Sequence, residues 1–158
     1  MIYLGIGSNL GDRKINIEKA KFKIFQNNIK ILQSSNYYES LSWPNKENPR
    51  FYNIVLKVST NLLPLELINI CKSIEIKLGR RKNTKNAPRQ CDIDIIDFNR
   101  KKMNGRLILP HPRMHKRNFV LFPLFELNKT WKHPRTKRHI KSLILDLPNS
   151  DISSIKQI

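Results

Sequence analysis

Residues 88–98, PRQCDIDIIDF, decide the reading of this chain. Alternate side chains of a strand share a face, so CDIDIIDF (91–98) would project Asp92 and Asp94 together, about 7 Å apart at Cα. Ile93 and Ile95 would face the other way, into a core. Asp97 falls out of phase with the pair, as a strand-end or turn residue. Working back, Pro64 suits a helix first turn, and Leu67, Ile68, Cys71, Ile74 and Leu78 form one apolar face up to Gly79 as C-cap. FYNIVLKVST (51–60) alternates as a strand, and KILQSSNYYES (30–40) reads as the strand before it. IYLGI (2–6) is a short buried strand stopped by the turn signal Gly7-Ser8-Asn9. Gly11-Asp12 then offers an N-cap to a helix with Ile17, Ala20, Ile24 and Phe25 at helical spacing to about residue 28. The order is that of a ferredoxin-like β-α-β-β-α-β sandwich of the α+β class. A short strand at RLIL (106–109) and a short helix in FVLFPLFEL (119–127), interrupted or begun near Pro123, are added to it. Residues 129–158 are weakly patterned, with one apolar cluster at Leu143–Leu147. No repeat or long linker divides the chain, so 1–158 reads as a single domain.

The chain has 158 residues, enough to bury a sizeable core without disulfides or a structural metal. No apolar run reaches the ~20 residues needed to span a bilayer, and MIYLGIGSNLGDRK lacks a signal layout. Cys71 and Cys91 are too few for a disulfide framework, which favours a reduced, cytoplasmic setting. Lys and Arg number 30 against 12 Asp and Glu, a balance of +18. Part of that excess is compositional, because 21 Ile, 19 Lys and 17 Asn are what A/T-rich codons supply. Its distribution is more telling: residues 80–141 hold 18 basic and 4 acidic side chains, and three of the acids are Asp92, Asp94 and Asp97. A basic field around an acidic knot points to a polyanion with a divalent cation.

Paired carboxylates are hard oxygen ligands suited to Mg²⁺, which keeps one or two of them and takes phosphate oxygens besides; two such ions can be bridged. Arg80, Arg81, Lys82, Lys85 and Arg89 precede the pair, and Arg106, His111, Arg113 and Arg117 follow it. Arginine offers bidentate recognition of phosphate. His111 is framed by Pro110 and Pro112, which keep its backbone extended. His115, His133 and His139 make no zinc pattern. Tyr37, Tyr38, Trp43, Phe51 and Tyr52 cluster about the loop 41–50, with Asn53 on the face of Phe51; such a pair suits a flat hydrogen-bonding heterocycle or a stacked base. Glycine-rich phosphate-loop motifs are absent. At this point a metal-nucleotide enzyme, a basic nucleic-acid-binding module and a metal-dependent phosphodiesterase all remain open.

Taken in order, GSNLGDR (7–13), YYES (37–40), FYNIV (51–55), IEIKLGR (74–80), PRQCDIDII (88–96) and LPHPRMHKRNFVLFPL (109–124) resemble the 6-hydroxymethyl-7,8-dihydropterin pyrophosphokinase family. The resemblance covers about residues 2–127. It implies a monomeric enzyme of folate biosynthesis that moves a pyrophosphoryl group from ATP to a pterin, with two Mg²⁺ ions and no nucleic-acid or membrane partner. By the same resemblance Asp92 and Asp94 hold the metals, and Arg80, Lys82 and Arg89 join them as catalytic residues, Arg81 being the alternative to Lys82. ATP would meet Lys72, Glu75, Arg80, Arg89, Ile95, Arg106, Ile108, His111 and Arg117. The pterin would meet Ser40, Leu41, Trp43, Phe51, Asn53 and Phe119. Asn86-Ala87 stand where many members carry an aromatic residue and glycine, so the lid contact made by that aromatic is left open.

Overall fold

The computed structural model describes residues 1–81 and 85–158. β1 (Ile2–Ser8), α1 (Arg13–Gln26), β2 (Lys30–Ser34), β3 (Tyr38–Ser40), β4 (Phe51–Ser59), α2 (Pro64–Lys77) and β5 (Asp92–Phe98) build the β-α-β-β-α-β unit. The strands run in the order β5-β1-β4-β3, and every pairing is antiparallel. The expected second strand, 30–40, is two pieces that pair with opposite ends of β4. They part at residues 35–37, and a register shift between Ile31 and Gln33 lies inside the first piece. Ser35 then meets Val55 alone, its N–H donating to the carbonyl and its Oγ accepting from the amide, both at 2.9 Å.

The two faces of the sheet have different cores. Ile2, Leu4 and Ile6 of β1, Ile54, Leu56 and Val58 of β4 and Ile93 and Ile95 of β5 point to α1 and α2. There they meet Ile17, Ala20 and Ile24 of α1 and Leu67, Cys71 and Ile74 of α2. Full burial of side chains this size stabilises by roughly 1.5–3 kcal/mol each. Asp12 caps α1 as expected, accepting from the Ile15 amide at 3.0 Å. Phe25, expected on the apolar face, is 67 % exposed, since the adjacent Ile24 already fills the core position.

Tyr3, Val55 and Ile96 point to the other face, which is covered by α3 (Asn118–Leu127) and α4 (Ile140–Leu145). That cover is incomplete, and over Gly5, Gly7 and Asn53 the face is open. Here β5 departs from strict alternation. Leu4 pairs with Ile95 and Tyr3 with Asp97, so Ile96 is a bulge residue. The bulge turns Asp97 onto the same face as Tyr3, so near the strand end it is not out of phase with Asp92 and Asp94 as expected. Asp97 is buried, its carboxylate accepting from the Trp131 indole N–H and the Arg100 amide, both at 2.9 Å.

The weakly patterned end of the chain is ordered. After α4 come α5 (Asn149–Ser154) and β6 (Lys156–Gln157), which extends the sheet by pairing with β3. The strand expected at 106–109 is absent. Residues 99–109 form a loop closed by one bridge, Met103 to Leu109, with left-handed Asn99 and Arg100 and Gly105 at φ 132° setting its turns. Among the described residues no helix is long and apolar enough to cross a membrane.

Asp97 and Trp131 join the last strand of the unit to the segment after it. Asp97→Ala should lower stability by about 1–3 kcal/mol, because the indole N–H stays buried without an acceptor. Urea unfolding followed by tryptophan fluorescence measures this, and an unchanged midpoint would show that the bond carries no net stability.

Candidate functional site

The open part of the second face is a cavity of about 210 Å³. Its floor is Gly5 and Gly7 of β1, where side chains would intrude. A Cβ on Gly7 would lie 2.9 Å from Asn53 Oδ1 and 3.2 Å from Phe51 Cδ1. One wall is the half-exposed pair Asp92 and Asp94, on one face of β5 as their spacing requires.

Cations close around both carboxylates. Asp92 Oδ1 lies 2.7 Å from Arg80 and 3.6 Å from Arg89. Asp94 lies 3.5 Å from Arg117, 3.7 Å from His111 and 3.9 Å from Lys72. Burial alone would raise the Asp92 carboxyl, but Arg89, Lys72 and Arg80 outweigh it and hold the group below the usual carboxylate range. Burial lowers the pKa of the His111 imidazole, with Arg117 and Arg113 acting the same way against Asp94. His111 Nδ1 accepts from the Arg113 amide at 3.2 Å, which leaves the proton on Nε2, the nitrogen facing Asp94.

Behind this wall sits Glu75, 1 % exposed. Its carboxylate accepts from the Ile93 amide at 2.6 Å, from Lys72 at 2.8 Å and from Arg80 at 2.5 Å. Burial pushes its pKa up and Lys72 draws it back. Local structure aims Arg80: α2 ends at Lys77, and Gly79 turns at φ 108°. That turn brings the Arg80 amide to Glu75 O at 3.0 Å and its guanidinium between Glu75 and Asp92. Gly79 thus stands just past the cap, which is Leu78.

The opposite wall is aromatic. Trp43, Phe51 and Phe119 line it, and the guanidinium groups of Arg113 and Arg117 lie 5.1 and 5.2 Å from the Trp43 ring. Buried Asn53 donates Nδ2 to Ser40 Oγ at 2.9 Å, which turns its Oδ1 over Gly7. A flat polar ligand fits between this amide and the rings.

Of the expected site residues, Lys72, Arg80, Arg89, Asp92, Asp94, His111 and Arg117 converge on the cavity, as do Trp43, Phe51, Asn53 and Phe119. Glu75 and Ser40 are buried behind the lining and act through Arg80, Lys72 and Asn53. Leu41 lines a small neighbouring hollow. Ile95 is 2 % exposed in the core under α2, because it alternates with Asp94, and it does not line the cavity. Arg106 and Ile108 are on the exposed face of the 99–109 loop and do not line the cavity. Lys82 lies outside the described residues. The floor glycines went unrecognised as a site because they fit no phosphate-loop motif. Asn9, read only as a turn signal, proves to be buried between the loops that border the cavity.

Two observations say what the cavity takes. Arg89 Nε and Arg117 Nε are buried donors without a hydrogen-bond partner among the described residues. Such donors are costly unless an acceptor arrives. The acceptors that suit an arginine fork are phosphate oxygens. Asp92 and Asp94, as hard oxygen donors beside such a phosphate, fit Mg²⁺.

Residues 3–129 match the family model of 7,8-dihydro-6-hydroxymethylpterin-pyrophosphokinase. The chain is 38 % identical to the 2-amino-4-hydroxy-6-hydroxymethyldihydropteridine pyrophosphokinase of Aquifex aeolicus, over 89 % of this chain and 88 % of that protein. It is 40 % identical to the folic acid synthesis protein fol1 of Pneumocystis carinii over 98 % of its own length, but spans only 21 % of that longer protein. A Plasmodium falciparum HPPK-DHPS crystal structure with pteroate superposes with a TM-score of 0.73, over 99 % of this chain and 46 % of the other. At 16 % identity this last likeness speaks for the fold.

The unpartnered arginine donors give a direct test. Inorganic tripolyphosphate should raise the melting temperature in a concentration-dependent way, while chloride at equal ionic strength should not. Replacing both Arg89 and Arg117 by Met should remove the shift; a shift that survives would place the anion elsewhere.

Proposed function

The chain belongs to the 7,8-dihydro-6-hydroxymethylpterin-pyrophosphokinase family, and from that premise we propose that it moves a pyrophosphoryl group from ATP to 6-hydroxymethyl-7,8-dihydropterin, a step of folate biosynthesis. The hydroxymethyl oxygen bonds to the β-phosphorus, the bond from that phosphorus to the α,β-bridging oxygen breaks, and AMP leaves. The observation that carries this reading is the same-face pair Asp92 and Asp94 set among cations, two of which keep unpartnered buried donors. A surface that only tracked a nucleic-acid backbone would gain nothing from two acids at its centre.

The protein's part is alignment and charge neutralisation. Arg89 and Arg117 supply the free guanidinium donors for the phosphates, and His111 offers its Nε2 proton beside them. Lys72 and Arg80, anchored on Glu75, bring fixed positive charge to the same wall. Asp92 and Asp94 would hold Mg²⁺, two ions on our reading. When bound, the metal neutralises phosphate charge. The pterin would lie over Gly7, stacked among Phe51, Trp43 and Phe119 and hydrogen-bonded to Asn53. On our reading the protein is a monomer acting on small molecules. The two buried free thiols support a reducing, cytoplasmic setting.

The decisive assay incubates the protein with ATP, Mg²⁺ and the hydroxymethyl-dihydropterin. One AMP should form per pterin pyrophosphate, and Asp94→Ala should abolish turnover with circular dichroism unchanged. Formation of ADP, or nucleotide cleavage without pterin, would overturn the assignment. Gly7→Ala should separate the two substrates. Its Cβ presses on Asn53 and Phe51, so the pterin KM should rise about tenfold or more, equivalent to roughly 1.4 kcal/mol, with the ATP KM nearly unchanged. Steady-state kinetics with each substrate varied in turn measures the split.

A further inference from the structure

Two loops border the cavity from opposite sides: 41–50, which carries Trp43 and leads into Phe51, and the described part of 81–91, which carries Lys85, Asn86 and Arg89. Neither has regular structure to hold it, yet they are joined through one buried amide. Asn9, 3 % exposed, donates Nδ2 to Ser42 Oγ at 3.2 Å and to Pro49 O at 3.1 Å. Its Oδ1 accepts from the Arg89 amide at 2.9 Å, and its own amide donates to Arg89 O at 3.1 Å. The backbone of Arg89 is therefore gripped at both polar atoms by Asn9, whose remaining donors hold the aromatic loop. Farther out the same loops meet again, where Asn48 Nδ2 donates to Asn86 O at 3.1 Å. Asn86 stands at φ 59°, a conformation that asparagine tolerates, and presents that carbonyl.

We infer that Asn9 is a positioning residue for the transfer reaction, setting Arg89 against Asp92 and coupling that alignment to the loop that holds the aromatic wall. Only a primary amide of this length meets the demand, because the site asks for two donations and one acceptance from a single side chain. Aspartate keeps the acceptor for Arg89 but loses both donors and sets a carboxylate against the Pro49 carbonyl. The Asn48–Asn86 bond ties the loops at a second point, so motion on the aromatic side is passed to the arginine side. The inference rests on the pyrophosphokinase reading and deepens it at the same site.

The test compares Asn9→Asp and Asn9→Ala with the parent protein, after circular dichroism and thermal melting show each variant folded. Asn9→Asp should lower kcat/KM about 10- to 100-fold, the scale expected when a catalytic group is misplaced by a fraction of an ångström to an ångström. In an Arg89→Ala background the same substitution should cost less than about threefold, because its effect passes through Arg89. Costs that simply multiply would overturn the inference, as would a folded Asn9→Asp with parental kinetics. Amide hydrogen exchange supplies a readout without turnover. Both Asn9→Asp and Asn48→Ala should speed exchange across 41–50 and 85–90 together, and exchange that rises in one loop alone would rule out the coupling. If the parent protein makes no pterin-dependent AMP, the functional reading falls, and hydrogen exchange still decides whether the loops are joined.

Discussion

A carboxylate that has left water organises this site. Glu75 can be ionised in the interior only because a backbone amide and two cations surround it, and each of these partners belongs to another part of the active wall. The Ile93 amide fixes the start of β5 against α2, which sets the height at which Asp92 and Asp94 emerge. Lys72 and Arg80 are drawn inward by the buried charge and so are presented to those same aspartates with little freedom left to lose. One buried acid thereby fixes the helix, the strand and two of the cations. The arginines not held in this way, Arg89 and Arg117, keep donors free for a ligand.

Much of this was legible in the sequence because it rests on short-range periodicity. The spacing of Asp92 and Asp94 implied a shared face, and Ile93 and Ile95 implied the core behind it. The helix over Pro64–Lys77 followed from its apolar stripe and its Pro and Gly ends. Resemblance to a known family sharpened the roles of Arg89, His111, Arg117 and Asn53, which position alone had left open. The structure brings each of these to the cavity.

What escaped the sequence depends on long-range contact or on broken periodicity. A bulge at Ile96 reverses the phase of Asp97, and the one strand expected over 30–40 breaks in two at residues 35–37. Both are decided by the partner strand, which local pattern does not reveal. Ile95 was assigned to the nucleotide although its alternation with Asp94 sends its side chain to the core. Arg106 and Ile108 were assigned to ATP by resemblance, and the strand read over 106–109 proves to be a loop. Asn9 looked like an ordinary turn residue, since its partners lie 33 to 80 positions away in the chain. Residues 129–158 showed little pattern because their helices are short and their anchoring, such as Trp131 on Asp97, is tertiary.

The small strand β6 has a consequence for the behaviour of the chain in solution. A sheet whose outer strand lies open offers unpaired backbone groups to any other extended chain, and this is a common route to aggregation. Here that border is occupied by Lys156–Gln157, two exposed residues, one of them charged. A template so short and hydrophilic recruits poorly. With a net charge of +18 acting between molecules, the sheet is discouraged from growing past its own last strand, and the protein is favoured to stay dispersed at concentrations where a bare β3 would invite a neighbour.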